Sequence, residues 1–149
     1  MRLIACVAFV LAALTLAGCG SSVDVELVWG GPPNPGIGGV VSVDGFAAYQ
    51  DEVDENWERS AVMVAAQFLR LDEHKAVRTT IEGRASAEGA GDQTVVVTLD
   101  GLPDDSVRTE RWTLGLEEAD GVYKLTAALH EQRCQLGRGH QDFSSAVCV

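Results

Sequence analysis

The feature that most constrains the fold is an alternation of apolar and polar residues in the C-terminal half of the chain. The alternating segments are 76–87, 94–99, 107–117 and 122–131. A period of two is typical of a β-strand with one buried face. The segments are separated by short turns, and Asp120-Gly121 is a strong hairpin signal. Because short connections pair neighbouring strands antiparallel, the pattern predicts a four-stranded antiparallel meander.

The same alternation predicts which side chains of the last two segments face the core. His130 falls in register with Lys124 and Thr126, on the polar face of the last strand. An exposed strand histidine is therefore expected there. The residues expected to point inward are Trp112, Leu114, Leu116, Tyr123, Leu125, Ala127 and Leu129.

A single long helix is expected ahead of the meander, with Asp44 as its N-cap. Its apolar residues recur every three or four positions and so lie on one face, which can cover the sheet. They are Phe46, Tyr49, Val53, Trp57, Ala61, Val64, Phe68 and Leu71. We expect Trp57 and Trp112 to be buried where helix meets sheet. The acidic residues Asp51, Glu55 and Glu58 are interpreted as a solvated helix face rather than a cation site.

The segment before the helix alternates over residues 23–29 and is then rich in glycine and proline from Gly30 to Gly39. It predicts a short strand followed by a spacer. The expected fold class is therefore α+β, with one long N-terminal helix packed on the four-stranded meander. This order, over residues 44–133, resembles the cystatin-like folds, including the nuclear-transport-factor-like α+β domains. The resemblance implies a curved sheet that walls a pocket, used for catalysis in some members and for binding in others, and it assigns no activity.

The N-terminus has an apolar run over residues 3–16, with Arg2 before it and small polar residues after it. These features are typical of a secretory signal, and the run is too short to span a bilayer. The tetrad Leu16-Ala17-Gly18-Cys19 resembles the lipobox of bacterial lipoproteins. The resemblance implies cleavage before Cys19, a diacylglycerol on its sulfur and a further acyl chain, such as palmitate, on the new amino terminus. An ordinary signal peptide with a chance cysteine is the alternative.

This interpretation divides the chain into three parts: a signal peptide (1–18), a lipidated N-terminus with the short strand and spacer (19–43), and one α+β domain (44–149). Acyl chains on Cys19 would attach the protein to a membrane of the cell envelope, on its extracytoplasmic side. The formal net charge of −11 repels phosphate. Neither nucleic acid nor direct adsorption to anionic lipid is therefore expected.

Two cysteines remain in the body of the chain, Cys134 and Cys148. In an exported protein they predict a disulfide, worth roughly 3 kcal/mol for a loop of about 15 residues. The alternative, a Cys134 nucleophile with His140 as base, fails once the sulfur is oxidised. The tail from Arg133 to Phe143, closed by Cys148, resembles the ending of a group of uncharacterised envelope lipoproteins, and this resemblance implies no activity.

The disulfide loop also carries the candidate binding surface, formed by Arg138, His140, Asp142 and Phe143. A closed loop is pre-organised, and arginine and aromatic residues dominate binding hot spots. In the alternative interpretation Phe143 folds back onto the sheet and the polar residues order the loop. His140 and Asp142 fall short of the three or four ligands of a zinc site, so no metal or other cofactor is expected.

No catalytic set is recognisable, because the serines lack a nucleophile elbow and the paired carboxylates lie in turns. We therefore expect a lipid-anchored envelope protein that binds an envelope protein or an apolar ligand without catalysis. One alternative is a small pocket enzyme of isomerase, dehydratase or hydrolase type that uses His130 with a nearby acid. The other is a structural component of the envelope.

Overall fold

The computed structural model describes residues 27–85 and 91–149, which form a five-stranded antiparallel sheet with two short helices against one face. Short 3-10 turns occupy Ile37–Gly39 and Asn56–Arg59. The spatial strand order is β1-β5-β4-β3-β2. In chain order the elements are β1 (Val40–Val41), α1 (Asp44–Glu52), α2 (Ala61–Leu69), β2 (Arg78–Ala85), β3 (Gln93–Asp100), β4 (Val107–Ala119) and β5 (Val122–Cys134).

The expected fold class, one long helix on a four-stranded meander, is wrong. Helix α1 ends at Glu52, and Val53 has extended backbone angles of φ −106° and ψ 153°. Helix α2 starts after Ser60, whose hydroxyl accepts a hydrogen bond from the amide of Met63 at 3.4 Å. Between the helices, Glu55 and Glu58 form a reciprocal capping box. Since caps satisfy the free amides of a helix start, these local signals favour two helices over one.

The segment before β1 is packed on the domain and is not a free spacer. The predicted short strand lies mostly outside the described residues, and residues 27–36 have no regular structure. The Trp29 ring packs 5.1 Å from that of Phe46 and 6.0 Å from that of Phe68. Its indole Nε1 donates a hydrogen bond of 2.8 Å to the Phe68 carbonyl oxygen. The segment then crosses to the sheet, where β1 pairs with β5 and adds the fifth strand.

The core lies between the helices and the inner face of the sheet, the face that the helices cover. The predicted burial of Trp112 is confirmed, since only 6% of the residue is exposed, whereas Trp57 is only partly buried at the margin of the core. The largest completely buried apolar residues are Phe46, Phe68, Leu69, Leu99, Leu114, Leu116 and Leu125.

A β-bulge at Thr126 changes the register of β5. Leu116 pairs with Leu125 but Gly115 pairs with Ala127, so Thr126 has no partner residue in β4. One extra residue reverses the faces of all the side chains that follow it, relative to a regular strand. The predictions that Ala127 and Leu129 point inward and His130 outward are therefore wrong. His130 is buried beside the core, and Ala127 and Leu129 lie on the outer face, away from the helices.

The two edges of the sheet differ. On the β5 edge the Gln50 side chain forms the hydrogen bonds that a neighbouring strand would form. Its Oε1 accepts a hydrogen bond from the Leu125 amide at 3.1 Å, and its Nε2 donates one to the Tyr123 carbonyl oxygen at 3.0 Å. Further along, Gln132 forms a bridge with Ser144. At the other edge, no strand among the described residues pairs with the outer side of β2.

The parts of the chain that the structure describes contain no helix long and apolar enough to cross a membrane. The predicted signal peptide and the lipidation residue Cys19 lie outside the described residues.

Candidate functional site

The outer face of the sheet carries an apolar groove of about 590 Å³ at its β1 side. Two rows of paired residues form its floor. One row joins Thr94, Gly115 and Ala127, and the next joins Thr113, Leu129 and Val40. Val40 is 61% exposed at the rim. The groove therefore combines aliphatic and threonine side chains of the outer face, and it extends around the β1 edge to Ser42, Val43 and Asp44 at the start of α1.

Small residues and the bulge together produce this hollow. Gly115 and Ala127 are neighbours, since a Cβ atom placed at Gly115 would lie 3.4 Å from the Cβ atom of Ala127. Because glycine has no side chain and alanine has only a methyl group, the surface is depressed at this point. The bulge at Thr126 turns Ala127 and Leu129 to this face. The threonine hydroxyl donates a hydrogen bond of 3.3 Å to the Gly115 carbonyl oxygen.

Next to the groove, the ring of Phe143 lies against two guanidinium groups. The Cζ atoms of Arg111 and Arg133 are each 4.0 Å from the ring centroid. The Nε and Nη2 atoms of Arg111 donate hydrogen bonds of 3.0 and 2.7 Å to one carboxylate oxygen of Glu131. Among the described residues no carboxylate lies within ion-pair distance of Arg133. Arg133 thus presents a positive charge without a described carboxylate partner on the outer face, beyond Leu129 and Glu131 along β5.

The C-terminal loop is closed by a disulfide between Cys134 and Cys148, as the sequence predicts. The ring of His140 is held within the loop, with Nδ1 2.9 Å from the Asp142 carbonyl oxygen and Nε2 2.9 Å from the Ala146 carbonyl oxygen. These contacts order the loop and leave the ring little freedom to contact a partner.

The residues of the predicted binding surface do not converge. Arg138 Nη2 faces the exposed carboxylate of Asp105 at 3.6 Å, and Phe143 folds back onto the sheet. Asp142 is exposed. None of the predicted set lines the groove. Phe143 packs on Arg111 and Arg133, which the sequence does not predict as site residues.

One group of metal-ligand side chains occurs in the described part of the chain. The ligand atoms of Cys134, His140 and Cys148 lie within 4.8 Å of one another. Because the two sulfurs are bonded to each other, only the histidine retains a free ligand atom. A zinc site needs three or four protein ligands. The disulfide-bonded loop therefore does not offer one.

A second polar cluster lies at the margin of the core. His130 Nε2 is 3.6 Å from a carboxylate oxygen of Glu110, and the imidazole packs against the Trp112 ring with centroids 4.5 Å apart. Trp112 Nε1 and His130 Nε2 are buried without a hydrogen-bond partner. Burial acts to raise the pKa of Glu110, but the facing His130 and the Trp112 indole outweigh it, so that the pKa lies below its ordinary value.

Glu110 is the nearby acid that the enzyme alternative requires, and no pattern in the sequence marks it. His130 also lines a cavity of about 230 Å³ with Pro35, Gly36, Gln132 and Ser145. None of the described hydrogen bonds involves the His130 ring. A histidine and an acid are thus brought together, but no described nucleophile is hydrogen-bonded to them, as acyl transfer requires.

Comparison with models of protein families, with curated proteins and with solved structures finds no match to this chain.

Proposed function

We propose that this chain is a lipid-anchored envelope protein whose domain binds an apolar ligand on the outer face of its sheet, without catalysis. The observation that carries the proposal is the groove of about 590 Å³ lined by Val40, Ala127 and Leu129. Small-molecule sites are mostly apolar and have volumes of roughly 300–1,000 Å³. An apolar patch left exposed on a folded domain is typical of a binding site.

The ligand class that fits is a single-chain amphiphile with an anionic end group, such as a fatty acid. Arg133 lies four residues beyond Leu129 on the same face of β5, a distance of about 13 Å at the usual rise per residue. An alkyl chain in the groove that extends past Glu131, whose carboxylate accepts hydrogen bonds from Arg111, can place its own carboxylate at the Arg133 guanidinium. Because that guanidinium has no carboxylate partner among the described residues, it can form a charge-assisted hydrogen bond with the ligand.

The anchor is proposed from the lipobox-like tetrad that ends at Cys19. An envelope location agrees with the disulfide, since disulfides persist in oxidising compartments. Trp29 is packed among the helices, on the side of the sheet opposite the groove. Residues 19–29 span at most about 35 Å when fully extended. The proposed tether therefore joins the domain on the helical side of the sheet, opposite the groove.

The groove is tested with a fluorescent fatty acid and the full chain reconstituted in lipid nanodiscs, with empty nanodiscs as the blank. Leu129→Asp places a charge on the groove floor and should abolish saturable binding, because the carboxylate cannot be desolvated there without a partner. Leu136→Asp is the matched control, since Leu136 is 83% exposed in the C-terminal loop. Equal binding by the wild type and the Leu129→Asp variant would show that the groove is not the site.

The anionic end group is tested separately with Arg133→Gln. This variant should bind a fatty acid about 10- to 150-fold more weakly, since a hydrogen bond to a charged group contributes about 1.5–3 kcal/mol, and should bind the matching fatty alcohol unchanged. An unchanged melting temperature excludes a loss of fold. Equal losses for acid and alcohol would contradict the role given to the guanidinium. A protein that co-purifies only when Leu129 is intact would instead identify a protein partner on this face.

A further inference from the structure

The outer edge of β2, on the side away from β3, carries an ordered charge pattern. Among the described residues, β2 pairs only with β3, and seven of its eight residues are exposed. An open strand edge is a template for pairing with another chain. We propose that two copies of this chain pair along their β2 edges, antiparallel, about a twofold axis at Thr80.

The charges on β2 select this register. A twofold axis at Thr80 places Arg78 opposite the partner's Glu82, and by symmetry Glu82 opposite the partner's Arg78. An axis at Ile81 would oppose Arg78 to the partner's Arg84, and an axis at Glu82 would oppose two carboxylates. Opposite charges directly across a pair of strands stabilise it by about 0.2–1 kcal/mol per pair, and like charges destabilise it. Of these three registers, only the one at Thr80 gives two attractive pairs and no repulsive pair.

An apolar side chain supports the same register. Val77, which immediately precedes β2, is 86% exposed. With the axis at Thr80 it lies opposite the partner's Gly83, which has no side chain. The nearest atom to a Cβ placed at Gly83 is Val62 Cγ2 at 3.7 Å. The Val77 side chain can therefore cover the glycine of the second copy, and it does so at both ends of the pairing.

The pairing has a geometric consequence for the outer face. A twofold axis perpendicular to the sheet keeps the same face of both copies on the same side. The dimer is then a continuous ten-stranded sheet with both outer faces together. Because an edge pairing of this length buries less than the roughly 1,200–2,000 Å² of a standard interface, we expect reversible association that requires high protein concentration.

Sedimentation of the full chain, in a detergent of matched density and over a rising protein concentration, tests the pairing. The wild type should pass from monomer to dimer. Arg78→Glu and Glu82→Arg should each abolish the dimer, and the double reversal should restore it. Arg59→Glu is the matched control, because Arg59 is exposed in the turn Asn56–Arg59, outside β2. Arg84 donates a hydrogen bond of 2.8 Å to Glu82 of its own chain, so Arg84→Glu is not neutral. It reports the register instead, because with an axis at Ile81 it would strengthen the dimer.

A cross-link tests the position of the axis. Thr80→Cys should form an intermolecular disulfide when oxidised glutathione is added, because the two Thr80 residues face each other across the axis. Thr98→Cys, in the same row but on the paired strand β3, should not. A chain that stays monomeric at all concentrations, or a dimer that both single charge reversals leave intact, would overturn the proposal.

Discussion

Trp112 and His130 lie side by side on the inner face of the sheet, with ring centroids 4.5 Å apart, and the indole nitrogen and the histidine Nε2 are both buried without a hydrogen-bond partner. Buried polar groups of this kind are uncommon in folded proteins and carry an energetic cost. The carboxylate of Glu110, 3.6 Å from His130 Nε2, offsets part of this cost through its charge. The three side chains therefore act as one electrostatic unit at the margin of the core.

This unit predicts an acid-sensitive contribution to stability. The pKa of Glu110 in the folded protein lies below its ordinary value of 4.5. A lowered pKa contributes stability that is present above the unfolded-state value and is lost as the pH falls through the folded-state value. Glu110→Gln should therefore lower the free energy of unfolding at neutral pH, and its difference from the wild type should shrink below about pH 4.5. Urea unfolding of the wild type and the variant at neutral and acid pH measures the difference in free energy and its decrease with pH.

The solvated carboxylate of Glu117 provides the control. Glu117 lies on the same strand and is exposed. Glu117→Gln should change the unfolding free energy little at either pH. A Glu110→Gln difference that is constant with pH would contradict the electrostatic role of the carboxylate.

Removal of the Gln50 side-chain amide should lower the free energy of unfolding substantially. It accepts from the Leu125 amide and donates to the Tyr123 carbonyl, and only 1% of the residue is exposed. Gln50→Ala should cost about 2–4 kcal/mol, because two backbone groups lose their partners. Hydrogen exchange at the Leu125 amide should accelerate by more than global destabilisation explains. Gln67→Ala, on the neighbouring helix, should show neither effect.

The sequence pattern predicted the extents of the long strands well, because each has one buried face and is bounded by turns. Strands β2–β5 occupy the alternating segments to within a few residues. The disulfide is predicted by the cysteine count together with the expected export, and the structure confirms it. The prediction of a single long helix was wrong because the same spacing of apolar residues is compatible with one continuous helix and with two helices joined by a turn. Only the caps at Glu55 and Ser60 distinguish them.

The groove on the outer face and the pair of His130 with Glu110 were not predicted, and both depend on the same bulge. A strict alternation through Thr126 predicts Ala127 and Leu129 in the core and His130 in solvent. The bulge is fixed by pairing with β4 and not by local sequence. It moves the first two residues into the groove and the third beside Glu110. A short strand such as β1, of two residues, likewise has no pattern to detect.

The bulge predicts opposite outcomes for two single-residue deletions. Deletion of Thr126 should give a regular ladder in which the later residues keep their faces, so the disulfide should still form. Deletion of Leu129 should turn every later residue of β5, including Cys134, to the other face. Intact mass with and without reductant should detect the disulfide in the first variant and free thiols in the second. Disulfide formation and a native melting temperature in both would contradict the assigned register.

The anchor predicts that the thiol of Cys19 is required for both processing and membrane attachment. Cys19→Ser should leave an unprocessed or soluble species, since lipid attachment to the sulfur precedes cleavage in the lipoprotein pathway that the tetrad implies. Cys6→Ser is the matched control, because Cys6 lies within the segment that would be removed. Membrane fractionation, denaturing gels and intact mass measure attachment, processing and acylation. A Cys19→Ser chain that still fractionates with membrane at the mature size would contradict the lipid anchor and leave the groove to be tested as part of an unanchored protein.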